Sequence, residues 1–114
     1  AQVRNEFDAF RTGETGTAKE IARVYQECGY LIDPHSAVGV HAGRKALAKK
    51  PGTPMVVLGT AHPAKFPDAV EKASGIRPAL PPRMGDLFER PERVTHVPND
   101  LGALQSLVRE RIAS

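Results

Sequence analysis

At 114 residues and 12.3 kDa, the chain has room for one small domain. An aromatic share of 5% with no Trp restricts any core to aliphatic side chains, while 25% charged residues and a net charge of +3 describe an ordinary globular surface. A single Cys excludes an internal disulfide and a multi-cysteine zinc site, the scattered basic residues argue against nucleic-acid binding, and no run approaches the ~20 apolar residues of a membrane span.

Val3, Phe7 and Phe10 share one helical face, and Arg11-Thr12-Gly13-Glu14-Thr15-Gly16 follows as a Gly-rich loop. That loop reads either as a flexible connection or as a phosphate-binding turn; the Glu14 charge and the lack of a preceding strand weaken the second reading. Thr17-Ala18-Lys19-Glu20 has the pattern of a capping box. Ile21, Val24, Tyr25 and Cys28 then predict a helix over 18–28, with Cys28 as a small core residue and Gly29 as the stop.

Tyr30-Leu31-Ile32 is too short for a definite strand. Asp33 suits an N-cap and Pro34 a first helical position, so the next helix runs over 34–49. Its interior is small: Ala37, Gly39, Ala42, Gly43, Ala46. Each mid-helix Gly costs about 1 kcal/mol against Ala, which implies close approach of a backbone or a ligand.

Pro51-Gly52-Thr53-Pro54 turns into Met55-Val56-Val57-Leu58, whose length and branching predict a buried strand. Gly59-Thr60 ends it, and Pro67 opens a short helix closed by Gly75. The prolines of residues 77–82 require an extended connection, and residues 84–88 suit one helical turn. Arg93-Val94-Thr95-His96-Val97 alternates like a strand. Asn99 or Asp100 caps a last helix striped by Leu101, Leu104, Val108 and Ile112, with Arg109 and Arg111 at its negative end. Helices interleaved with strands predict an α/β class, a small three-layer fragment with a short, mainly parallel sheet flanked by helices.

Loops beyond the carboxyl ends of strands hold ligands in open α/β sheets, and such a loop here carries Thr60, His62 and Lys65. His62 and Lys65 would attract a phosphate or carboxylate, although His62 could equally bond a backbone carbonyl. His35 and Ser36 lie in the first turn of a helix, where free N–H groups favour anions, with plain capping as the alternative. Asp33, His35 and Ser36 do not make a hydrolytic triad, because adjacent helical residues point apart. The histidines, His41 and His96 included, have no metal-site spacing.

Thr60-Ala61-His62-Pro63-Ala64-Lys65-Phe66, together with Asp33-Pro34-His35-Ser36-Ala37-Val38-Gly39 before it and Val97-Pro98-Asn99-Asp100-Leu101 after it, resembles the threonine synthase family. The likeness runs from about Phe10 to the end and is to the C-terminal part of the bacterial and fungal type. It implies a piece, residues 1–114, of a fold-type II pyridoxal-phosphate enzyme related to tryptophan synthase β, a carbon-oxygen lyase of threonine biosynthesis. Such an enzyme converts O-phosphohomoserine and water to threonine and phosphate. By the same resemblance Thr60 is the hydroxyl that faces the pyridine nitrogen of pyridoxal phosphate; a neutral hydroxyl donates to an unprotonated ring nitrogen, whereas an Asp would favour the protonated ring. His35, Ser36, His62 and Lys65 are expected as substrate or phosphate contacts.

The family keeps its Schiff-base Lys and phosphate cradle upstream, and no Lys here sits in a matching context, so this chain alone is expected to be inactive. Its expected partners are the N-terminal remainder of the same enzyme and a phosphorylated amino acid, with self-association through an exposed apolar face, and its setting is expected to be reducing and cytoplasmic. A stand-alone small α/β module that binds an anion or a partner without catalysis is the alternative.

Overall fold

The computed structural model describes residues 3–113. Among them run five α-helices: α1 (Val3–Glu6), α2 (Glu14–Cys28), α3 (Pro34–Lys49), α4 (Pro67–Ser74) and α5 (Leu101–Ala113), with 3-10 turns at Pro63–Lys65 and Pro82–Met84. The chain forms two compact units, one up to Met84 and one from Gly85 on.

Helix α2 starts earlier than its sequence suggests. Gly13 is extended (φ −94°, ψ 178°), and Glu14 already occupies the first turn, where its charge suits the positive end of the helix dipole. Half of the supposed Gly-rich loop is therefore helix. Thr17 lies inside it and donates to Gly13 O at 3.1 Å, so no capping box forms with Glu20. Glu20 is instead buried, and its carboxylate receives Arg44 Nε at 2.7 Å from α3. His41 Nδ1 lies 3.5 Å from the same carboxylate. A buried carboxylate held by a guanidinium fixes the register of α2 on α3.

Gly29 takes the left-handed conformation (φ 70°) that ends α2, and Gly75 does the same for α4 (φ 77°), as expected of C-terminal glycines. The core is small: Ile21, Ile32, Ala37 and Val70, with Val24, Leu31, Val40, Phe66 and Ala73 packed against it. Helix α2 packs on both α3 and α4. Cys28 is exposed rather than in this core, and its thiol donates to Val24 O at 3.0 Å.

The expected α/β class and its parallel sheet are not borne out. The described residues contain no strand, and the architecture is helical. A strand exists only through ladder hydrogen bonds to a neighbour. Residues 55–58 lie over α3 with no segment alongside to complete such a ladder, and residues 93–97 are irregular for the same reason. In the second unit, Asp100 Oδ1 accepts from Ala103 N at 2.7 Å and caps α5, whose Leu101, Leu104, Val108 and Ile112 are exposed. Among the described residues no helix is long and apolar enough to cross a membrane, and no group of three or more His, Cys, Asp or Glu side chains could hold a metal.

Candidate functional site

The start of α3 is built around Asp33. Its backbone is extended (φ −78°, ψ 164°), Pro34 supplies the preset first turn, and the side chain caps the helix. Asp33 is fully buried. Its Oδ2 accepts from His35 N at 2.8 Å and His35 Nδ1 at 3.0 Å. Its Oδ1 accepts from Ser36 N at 3.2 Å and from the Ser36 hydroxyl. Burial pushes the Asp33 carboxyl up, but the Ser36 hydroxyl, the His35 amide and ring and the Ser36 amide together outweigh it and hold the group below its ordinary value. An ionised carboxylate only accepts, so His35 Nδ1 and Ser36 Oγ are the donors.

The small residues of α3 meet a close approach, and it comes from this chain. A Cβ at Gly39 would lie 3.0 Å from Val57 Cγ1, and one at Gly43 would lie 3.2 Å from Val57 Cγ2 and 3.3 Å from Met55 Cγ. Met55 and Val57 thus rest on the glycine face, while Val56 and Leu58 point away and are 82% and 75% exposed. This packing carries the chain to Thr60, whose N–H donates to Ser36 Oγ at 3.4 Å.

Two clefts flank the segment. One of about 430 Å³ is lined by His35, Gly39, Gly43, Val57 and Thr60. The other, about 610 Å³, is lined by Ile32, Ser36, Leu58, Gly59 and His62. Thr60 is exposed, and among the described residues its hydroxyl has no hydrogen-bond partner. The unpartnered Thr60 hydroxyl at the rim of the first cleft can donate to a single acceptor nitrogen, which is the chemistry a pyridine ring asks of a neutral hydroxyl.

His62 is also exposed, and its Nδ1 accepts from Ala64 N at 3.1 Å, capping the turn at Pro63–Lys65. The neutral ring therefore carries its proton on Nε2, which is left as a donor. Lys65 Nζ lies 5.9 Å from the centroid of the Phe66 ring, and the His35 ring packs on the same Phe66 at 4.9 Å.

Of the residues singled out from the sequence, the structure brings His35, Ser36 and Thr60 together around Asp33. His62 faces the neighbouring cleft, and Lys65 lies over Phe66. Ser36 is 6% exposed, with its hydroxyl committed on both sides. The sequence marks Asp33 as a cap and Phe66 as part of a family stretch, but assigns neither a role at the site.

A family model described as "Threonine synthase, C-terminal" matches residues 36–108. Threonine synthase of Pseudomonas aeruginosa is 48% identical over 110 residues, covering 96% of this chain and 23% of that protein. The Corynebacterium glutamicum threonine synthase is 35% identical over 108 residues, covering 95% and 22% respectively. The crystal structure of PLP-bound threonine synthase from Brucella melitensis superposes with a TM-score of 0.77 at 46% identity, over 96% of this chain and 23% of that one. The chain spans less than a quarter of the length of these relatives.

Proposed function

Because this chain belongs to the threonine synthase family, we propose that it is the C-terminal portion of an enzyme that turns O-phosphohomoserine and water into threonine and phosphate with pyridoxal phosphate. The observation that carries this reading is the superposition of nearly the whole chain on 23% of a PLP-bound relative. Bound pyridoxal phosphate would supply the electron sink for the replacement. The Thr60 hydroxyl would donate to the ring nitrogen and so favour the unprotonated ring.

His62 offers Nε2–H, and Lys65 its ammonium, to the phosphate or carboxylate of the substrate or cofactor. With Nδ1 donating to Asp33, His35 presents Nε2 to the same region. The Schiff-base Lys and the phosphate cradle belong to the N-terminal remainder. Val56 and Leu58, both exposed, give that remainder an apolar surface to cover and the isolated chain one through which to self-associate.

Thr60→Val in the full-length polypeptide tests the reading. Losing a hydrogen bond to the reacting ring should lower kcat by about tenfold or more and shift the absorption of the bound cofactor. Unchanged kinetics and an unchanged spectrum would remove Thr60 from the ring.

A further inference from the structure

Residues 54–61 carry the candidate site, yet their backbone is held by very little. Among the described residues, their only hydrogen bond is the one from Thr60 N to Ser36 Oγ at 3.4 Å. The packing of Met55 and Val57 on α3 locates the beginning of this stretch. Gly59, next to Thr60, has no side chain, and a Cβ built there would meet nothing within 4 Å.

The polarity of the tether is set from the protein interior. Asp33 is fully buried and already accepts from three other donors, so its Oδ1 takes the proton of the Ser36 hydroxyl. The lone pairs of Ser36 Oγ then remain, and they can only accept. At 6% exposure Ser36 has little access to a ligand, and among the described residues the one donor that reaches it is the Thr60 amide.

We infer that Ser36 is a positioning residue: oriented by buried Asp33, its hydroxyl accepts the Thr60 amide and sets where the Thr60 side chain stands, instead of contacting substrate or phosphate. The tether itself stands on this geometry alone. Its effect on turnover rests on the proposal that Thr60 meets the cofactor.

The test uses the full-length polypeptide with Ser36→Ala and Ser36→Thr. Hydrogen exchange of the Thr60 amide should quicken by about tenfold in Ser36→Ala, the scale of one lost hydrogen bond, and stay slow in Ser36→Thr, which keeps the hydroxyl. Turnover of Ser36→Ala should fall through kcat, by roughly tenfold to a hundredfold for a displaced reacting group, with KM for the phosphorylated amino acid unchanged. The absorption of bound pyridoxal phosphate should move in the direction seen for Thr60→Val.

Unchanged exchange at Thr60 in Ser36→Ala would overturn the tether. A raised KM at constant kcat would also overturn it, by making Ser36 a substrate contact. Faster exchange in Ser36→Ala, combined with a Thr60→Val enzyme of normal kinetics and spectrum, would support the tether while removing the cofactor reading of Thr60.

Discussion

Asp33 is fully buried, and its two oxygens accept four hydrogen bonds from two residues. These bonds hold its folded pKa below the ordinary value of 3.8 despite burial. A depressed carboxylate stabilises the fold at pH values above its unfolded pKa, and that contribution disappears as pH falls through the lower folded value. Asp33→Ala should therefore cost about 1–2 kcal/mol at neutral pH through the lost cap. The gap between wild type and variant should narrow as pH drops below about 4 in chemical unfolding measurements. A gap that is constant with pH would mean that the carboxylate charge contributes nothing.

At this scale the sequence was half legible. Asp33-Pro34 announces a cap and a first turn through local chemistry alone. That the same carboxylate also takes the Ser36 hydroxyl depends on burial, which local spacing does not encode. Cys28 shows the same limit: its position in the helical stripe suggests the core, but the end of α2 where it lies is exposed.

Helices α2, α3, α4 and α5 were readable because their ends carry their own chemistry: Gly29, Asp33, Pro67, Gly75 and Asp100 act within one turn of the chain. Strands have no such local guarantee. Residues 55–58 have the β-branched, apolar composition of a strand, and their alternation is real, since Met55 and Val57 meet α3 while Val56 and Leu58 do not. A ladder needs a second segment, and no residue-level pattern reveals whether one lies alongside.

The glycines of α3 give this element a direct test. At an open helical site, Gly→Ala stabilises by about 1 kcal/mol. At Gly39 the new methyl would stand 3.0 Å from Val57 Cγ1, so Val57 must give by a few tenths of an ångström. Gly39→Ala should yield none of the expected rise in melting temperature, and in the full-length polypeptide it should lower turnover by moving Thr60. A rise in melting temperature of the size expected for an open site, with turnover intact, would show that the packing of residues 55–58 on α3 does not position the site.

Among the described residues, few apolar side chains are buried: Ile21, Ile32, Ala37 and Val70. Meanwhile Val56, Leu58, Phe88, Leu101 and Ile112 are exposed. Composition promised an aliphatic core of modest size, and the structure has a smaller one, with apolar surface left uncovered. The chain spans less than a quarter of the length of its relatives, and an apolar surface of this kind suits a contact with further polypeptide, as the proposed reading requires. The three family stretches are legible at once in the sequence. The site they imply is legible only in part, because one wall of a site does not specify the others.

The most direct measurement is phosphate release from O-phosphohomoserine, with pyridoxal phosphate supplied, by this chain, by the upstream remainder expressed separately, and by the two mixed. Turnover is expected in the mixture and in neither part alone. Turnover by the remainder alone at the rate of the mixture would contradict it, since the Thr60 wall would then be dispensable.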